Sequence, residues 1–187
     1  GEDNLVLKAA RALARAAGVE AGAALVLEKN LPVASGIGGG SADAAAALRL
    51  LTRLWRIDPS HAASVAPGLG ADVPACLLSM TARGAGVGDA LQLADAGVAG
   101  QAVLLVNPGV AVSTAAVFAR WDGVDRGPLG DWRAGRNDLE GPARLLAPEV
   151  GDVLEWLEDQ PDAQFVRMSG SGATCFALFA DEAGRDR

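Results

Sequence analysis

Tyrosine is absent from this 187-residue sequence, histidine occurs once and cysteine twice. One histidine and two unpaired cysteines are too few for a structural zinc site, and neither Cys76 nor Cys175 belongs to a Cys-x-x-Cys pair. Each cysteine sits alone in an apolar run, which reads as a buried free thiol in a reducing compartment. No apolar run approaches membrane-spanning length, because Arg, Asp or Gly interrupts every alanine-rich stretch. The opening Gly-Glu-Asp-Asn has the pattern of neither a signal peptide nor a transit peptide, so a cytoplasmic location and no membrane partner are expected. Basic residues are outnumbered, 16 against 23 acidic, for a formal net charge of −7, and no Lys/Arg cluster offsets it. Such a surface repels polyanions, which argues against a nucleic-acid partner.

What remains is ordinary globular material. Half of the residues are hydrophobic and 21% are charged, enough for one large domain or two small ones. Residues 3–17 carry Leu5, Val6, Ala9, Leu13 and Ala16 at helical spacing, with Asp3 placed to cap the helix and Gly18 to stop it. Residues 23–28 read as a strand, and 42–55 as a strong helix with Leu48, Leu51 and Leu54 on its apolar side. Short helices are expected over 59–66 and after Asp72, where Pro74 suits a first turn. Two short strands over 81–93 should meet around residues 86–89. A buried strand over 101–106 ends at the Asn107-Pro108-Gly109 turn. A helix over 112–121 follows a Ser113/Thr114 cap, and 122–136 reads as a surface loop. Asn137 or Asp138 caps a helix running to Leu146, and another covers 148–157. Strands over 164–168 and 174–180 are joined by Ser169-Gly170-Ser171-Gly172-Ala173. The turn-rich stretch 95–100 is the best domain boundary.

The chemistry lies in the loop before the second long helix. Gly36, Gly38, Gly39 and Gly40 fall within five positions, where glycine gives up burial and costs backbone entropy. Such a run offers positive φ angles and unobstructed backbone N–H groups, and the helix behind it adds the positive end of its dipole. A phosphate chain suits that concavity, with the Ser41 hydroxyl available to a phosphate oxygen or a metal. No lysine follows Gly40, so this is not the Gly-Lys-Ser/Thr phosphate loop. The dinucleotide Gly-x-Gly-x-x-Gly pattern fails at its third glycine. The plainer alternative is a flexible strand-to-helix turn.

These residues carry a resemblance. The run Leu31-Pro32-Val33-Ala34-Ser35-Gly36-Ile37-Gly38-Gly39-Gly40-Ser41-Ala42-Asp43-Ala44-Ala45 resembles the ATP-binding motif of the galactokinase, homoserine, mevalonate and phosphomevalonate (GHMP) kinases. Leu69-Gly70-Ala71-Asp72-Val73-Pro74, Val106-Asn107-Pro108-Gly109-Val110 with Thr114, and Met168-Ser169-Gly170-Ser171-Gly172-Ala173-Thr174 agree in the same order. So does the opening Asp3-Asn4-Leu5-Val6 with Lys8-Ala9-Ala10. Within the family, Leu-Gly-Ala-Asp-Val-Pro is most similar to the branch that acts on 4-diphosphocytidyl-2-C-methyl-D-erythritol. The resemblance implies an α+β fold in two lobes, a ribosomal-protein-S5-like lobe over 1–95 and a ferredoxin-like lobe over 96–187. It implies phosphorylation of that substrate's 2-hydroxyl by ATP with Mg²⁺, in a cleft between the lobes.

By the same matching, Pro32, Val33, Ala34, Ser35, Gly36, Ile37, Gly38, Gly39, Gly40 and Ser41 line the triphosphate. Asn4 and Lys29 fall where the family meets the base or ribose, and Thr114 falls near the substrate. Gly170 and Gly172 form a turn backing the site. Asp72 matches the catalytic aspartate that orients or deprotonates the hydroxyl; read without the family, it is a good helix cap. Ala42 stands where the family often has a second serine. Family members open with a strand bearing a catalytic lysine and with aromatic and histidine residues that hold the cytosine. Nothing before Gly1 supplies these, and the chain is expected to be a fragment with an incomplete site. His61 reads as a helix-surface residue. The competing expectations are another GHMP kinase, a non-catalytic nucleotide-binding module, and a Rossmann domain with a parallel doubly wound sheet.

Overall fold

A computed structural model describes residues 3–20, 22–31, 35–86, 88 and 90–187. The chain forms two compact units, one made of Gly1–Asn30 and Gly38–Asp95, the other of Leu31–Ile37 and Ala96–Arg187. The glycine loop therefore passes from the second unit to the first between Ile37 and Gly38.

The first unit is mostly helical. Helix α1 spans Leu5–Ala17; its cap is Asn4, whose Oδ1 accepts from the Val6 N–H at 2.9 Å, and not Asp3 as the sequence suggested. Gly18 ends it in the left-handed region, at φ 64°. Helix α2, Gly39–Trp55, starts three residues before the expected Ala42, so Gly39 and Gly40 belong to its first turn. Helix α3, Ser60–Val65, runs into a single 3-10 turn, Ala66–Gly68, and α4 covers Val73–Leu78. The core joins Ala9 and Leu13 of α1 to Ala44, Ala45, Leu48 and Leu51 of α2, with Ala62 and Val73 beside them. Alanine at the contact positions lets the two long helices approach closely. Leu54 lies outside this core, 62% exposed, and Thr52 takes the buried position on that turn. An antiparallel hairpin, β1 (Ala82–Ala85) with β2 (Ala90–Leu93), closes the unit.

The segment 23–28 is not a strand. It pairs with no strand among the described residues and Val26 is fully exposed; apolar spacing proposes a strand, but only a partner's N–H and C=O groups complete one.

The second unit is a three-stranded antiparallel sheet with helices on one face. Strands β3 (Ala102–Val106), β4 (Phe165–Met168) and β5 (Cys175–Phe179) lie in the order β3-β5-β4. Both sheets being antiparallel, the doubly wound alternative is ruled out. Alternation along the strands sends Ala102, Met168, Cys175, Ala177 and Phe179 inward. They meet Val117 of α5 (Thr114–Phe118), Ala143 of α6 (Glu140–Leu146), and Val150, Leu154 and Leu157 of α7 (Glu149–Glu158). A short helix α8, Glu182–Arg185, follows β5. On the other face Phe165 packs edge-on against Trp132, 5.0 Å between centroids, and the Arg167 guanidinium lies 4.8 Å from the Phe165 ring centroid. Strand β3 is an edge strand: Val103 and Leu105 are about half exposed, unlike the buried strand the sequence suggested.

Candidate functional site

The glycine loop has two differently built halves. Pro32, Val33 and Ala34 lie outside the described residues. Ser35, Gly36 and Ile37 are held by the turn after β4: the Thr174 N–H donates to the Ser35 carbonyl at 3.1 Å, and Ser169 Oγ donates to the Gly36 carbonyl at 2.9 Å. Gly36, at φ 76°, packs so tightly on that turn that a Cβ there would fall within 3 Å of Gly172 and Ser169 backbone atoms. Its glycine is explained by packing.

Gly38, Gly39 and Gly40 are not explained that way. Among the described residues, a Cβ on any of them would meet no heavy atom within 4 Å. Gly38 needs its positive φ, 67°, as the residue before α2, but Gly39 and Gly40 have ordinary helical geometry and free space. Gly38 has no side chain, and among the described residues no side chain caps α2, whereas Asn4 caps α1 and Ser113 caps α5. The Ala42 N–H already donates to the Gly38 carbonyl. The N–H groups of Gly39, Gly40 and Ser41 precede it and donate to no carbonyl of the described residues, so they lie at the positive end of a 17-residue helix. This geometry suits an anion with several oxygens.

Two residues expected at the nucleotide have local partners. Asn4 spends its carbonyl oxygen on the α1 cap. Lys29 Nζ forms an exposed ion pair with Asp43 Oδ2 of α2 at 2.6 Å, which places an ammonium group on the helix that the loop leads into.

Asp72 precedes α4 but makes no capping hydrogen bond, and its side chain is exposed. The plain helix-cap reading is thus not realised in its geometry. Helix α4 is fixed to α2 by Arg49, whose Nη1 donates to the Cys76 carbonyl at 2.8 Å and sits 3.4 Å from that of Leu77. Burial pushes the Cys76 thiol above its usual range, and the negative charge of Asp72 adds to this. A cavity of about 610 Å³ lies along the same helices, lined by residues including Thr52, Pro59, Ala62, Pro74, Leu77 and Leu91. Pro74 of the Leu69–Pro74 motif lines it, but none of the expected catalytic, nucleotide-binding or substrate-binding residues does. Among the described residues no group of three or more His, Cys, Asp or Glu side chains could hold a metal ion.

In the second unit a network of small polar side chains holds the turn 169–174. Thr114 Oγ1 lies 2.9 Å from Ser171 Oγ, and Asn107 Nδ2 donates to Thr174 Oγ1 at 2.8 Å. Asn137 Nδ2 donates to the carbonyls of Met168 and Gly170, at 3.0 and 2.8 Å. Gly170 and Gly172, at φ 54° and 85°, shape the turn, and a Cβ on Gly170 would come 3.1 Å from the Gly36 carbonyl oxygen. Thr114 thus joins a support that the sequence reading credited only to the glycines. Asn107, Asn137, Ser169, Ser171 and Thr174 were missed as members; their one sequence signal is a short polar side chain beside a turn. Under this network Cys175 is fully buried, and burial raises its thiol to about 11, with the Glu140 charge contributing in the same direction.

The family model for the N-terminal domain of GHMP kinases matches residues 4–80, and that for their C-terminal part matches 125–187. A 4-diphosphocytidyl-2-C-methyl-D-erythritol kinase from Rhizorhabdus wittichii is 57% identical, over 99% of this chain and 66% of its own length. Proteins of the same name from Hyphomonas neptunium and Parvibaculum lavamentivorans are 50% and 49% identical, covering 95% and 96% of this chain and 65% and 68% of their own lengths. A crystal structure titled 4-(cytidine 5'-diphospho)-2C-methyl-D-erythritol kinase superposes with a TM-score of 0.81 at 33% identity, over 100% of this chain and 73% of that one. The chain spans about two thirds of the length of the curated relatives it matches.

Proposed function

Because this chain belongs to the GHMP kinases, we propose that it carries the nucleotide-binding and acceptor-activating parts of a kinase that uses ATP to phosphorylate the 2-hydroxyl of 4-diphosphocytidyl-2-C-methyl-D-erythritol. That reaction belongs to the non-mevalonate route to isoprenoid precursors. The observation that carries the proposal is the start of α2: Gly38 before it and Gly39 and Gly40 in its first turn, which packing against the described residues does not require nor, at Gly39 and Gly40, backbone conformation, at a helix end that no described side chain caps. The names of the relatives support the substrate, since relatives sharing about half of all residues act on it by name.

In this reading the N–H groups of Gly39, Gly40 and Ser41 donate to phosphate oxygens, and the α2 dipole stabilises their charge. Pro32, Val33 and Ala34 continue the phosphate loop. Lys29 and Asn4 lie toward the base or ribose and Thr114 toward the substrate. Asp72 accepts a hydrogen bond from the attacking hydroxyl, orienting the oxygen and taking its proton as the bond to phosphorus forms. Its exposure and lack of a capping bond leave the carboxylate free for that task. Magnesium would come with the triphosphate, neutralising part of its charge, with the Ser41 hydroxyl as a candidate ligand. A cytoplasmic location goes with a small, charged, soluble substrate.

The test is phosphotransfer with ATP, magnesium and the erythritol substrate, run beside calorimetry with AMP-PNP. Transfer to the 2-hydroxyl is the expected result. Nucleotide binding without transfer would make the chain a binding module, and transfer to a different small alcohol would move it elsewhere in the family. Neither binding nor transfer would overturn the proposal.

A further inference from the structure

Ser35 and Gly36 are held from the turn 169–174, so whatever holds that turn also governs that half of the glycine loop. Within the turn, the Ser169 N–H donates to the Thr174 carbonyl at 2.9 Å and the Gly172 N–H to the Ser169 carbonyl at 3.0 Å. The Met168 and Gly170 carbonyls are taken by the two hydrogens of a single side-chain amide, Asn137 Nδ2. Its Oδ1 accepts the Leu139 N–H at 3.0 Å, so one amide joins the chain entering α6 to both sides of Ser169. Ser169 and Thr174 then reach the carbonyls of Gly36 and Ser35.

We propose that Asn137 is a positioning residue for the phosphate loop, acting through the Met168 and Gly170 carbonyls on the turn that holds Ser35 and Gly36. The inference rests on the kinase reading given above. The sequence suggested Asn137 or Asp138 as the helix cap, but the residue preceding α6 is Leu139 and no described side chain caps the helix; Asn137 Oδ1 accepts the Leu139 N–H ahead of it. The two donated bonds are a separate function that only an amide can perform: aspartate offers acceptors alone, and a hydroxyl offers a single donor. Aspartate at this position would keep the acceptor for Leu139 and favour the α6 terminus by its charge. It would also set a carboxylate against two carbonyl oxygens. The substitution therefore separates the Leu139 contact from loop support.

Asn137→Asp and Asn137→Ala are compared with the unaltered chain by amide hydrogen exchange and by calorimetry with AMP-PNP and magnesium. In both variants the Ser169, Gly172 and Thr174 amides should exchange about tenfold faster, and the AMP-PNP Kd should rise about tenfold, the scale of one or two lost hydrogen bonds. Protection across α6 should persist in Asn137→Asp, because the acceptor for the Leu139 N–H is kept and no side-chain cap of α6 is lost. Asn137→Ala introduces no charge and keeps the test open should Asn137→Asp not fold. If either folded variant shows turn exchange and Kd within about twofold of the unaltered chain, well under one hydrogen bond, the proposal is overturned. Binding to the unaltered chain shows which idea has failed: if it binds and the variants bind equally, only the role of Asn137 falls. If it does not bind, the kinase reading falls and this one with it.

Discussion

The carbonyl oxygen of Gly172 stands 2.3 Å from the point where a Cβ on Gly36 would be. Backbone from two distant parts of the sequence is in van der Waals contact there, and neither side can yield without moving a turn. Gly36→Ala should therefore cost about 3 kcal/mol or more, combining overpacking with an unfavourable φ. Urea unfolding measures it, and a loss under about 1 kcal/mol would mean that the contact is looser than described.

Asp72→Asn should lower turnover on the order of 10²–10⁴-fold, the range of a lost general base. The melting temperature should move by only about 1–2 °C, because no capping bond is lost. Undiminished turnover would remove Asp72 from the mechanism. The same variant has a second readout. The Asp72 charge helps to hold the Cys76 thiol protonated, so removing it lowers the Cys76 pKa and should speed alkylation of Cys76 near pH 8.

Much of this was legible in the sequence wherever the determinant is local. The 3.6-residue spacing marks α1, and the turn residues around Gly86 mark the β1–β2 hairpin. The glycine-rich run marks the loop. Misreadings arose where the determinant lies elsewhere in the chain. Residues 23–28 have strand spacing but no ladder partner among the described residues. Leu54 has core spacing, yet its side chain lies exposed on α2, outside the core of its unit. Asn137 looked like a cap because its acceptor serves a residue two positions on, while its donors reach carbonyls 31 and 33 positions away. Glycine in a sequence does not distinguish Gly36, crowded by backbone, from Gly40, surrounded by open space.

Cys175 predicts a dependence on alkaline pH. Burial raises its thiol in the folded chain to about 11, whereas an unfolded thiol titrates near 8.5. A group whose folded pKa is raised stabilises fully below the unfolded value and loses that contribution as pH climbs to the folded one. Stability should thus fall by up to about 3 kcal/mol between about pH 8.5 and 11. No tyrosine is present to titrate in this window. Urea unfolding at pH 8 and pH 10.5 should show a smaller drop for Cys175→Ala than for the unaltered chain. Equal drops would mean that Cys175 is solvated.

The most direct test is the double substitution Gly39→Ala, Gly40→Ala. Alanine fits at both positions and favours a helix by about 0.5–1 kcal/mol per residue over glycine, so the melting temperature should rise. Methyl groups beside the amides proposed to hold the phosphates should crowd the anion, so calorimetry with AMP-PNP should show affinity about tenfold weaker or worse, the scale set by losing a charge-assisted hydrogen bond. A more stable chain that binds nucleotide poorly is the predicted result; a more stable chain with undiminished affinity would contradict the claim that these amides hold the phosphates.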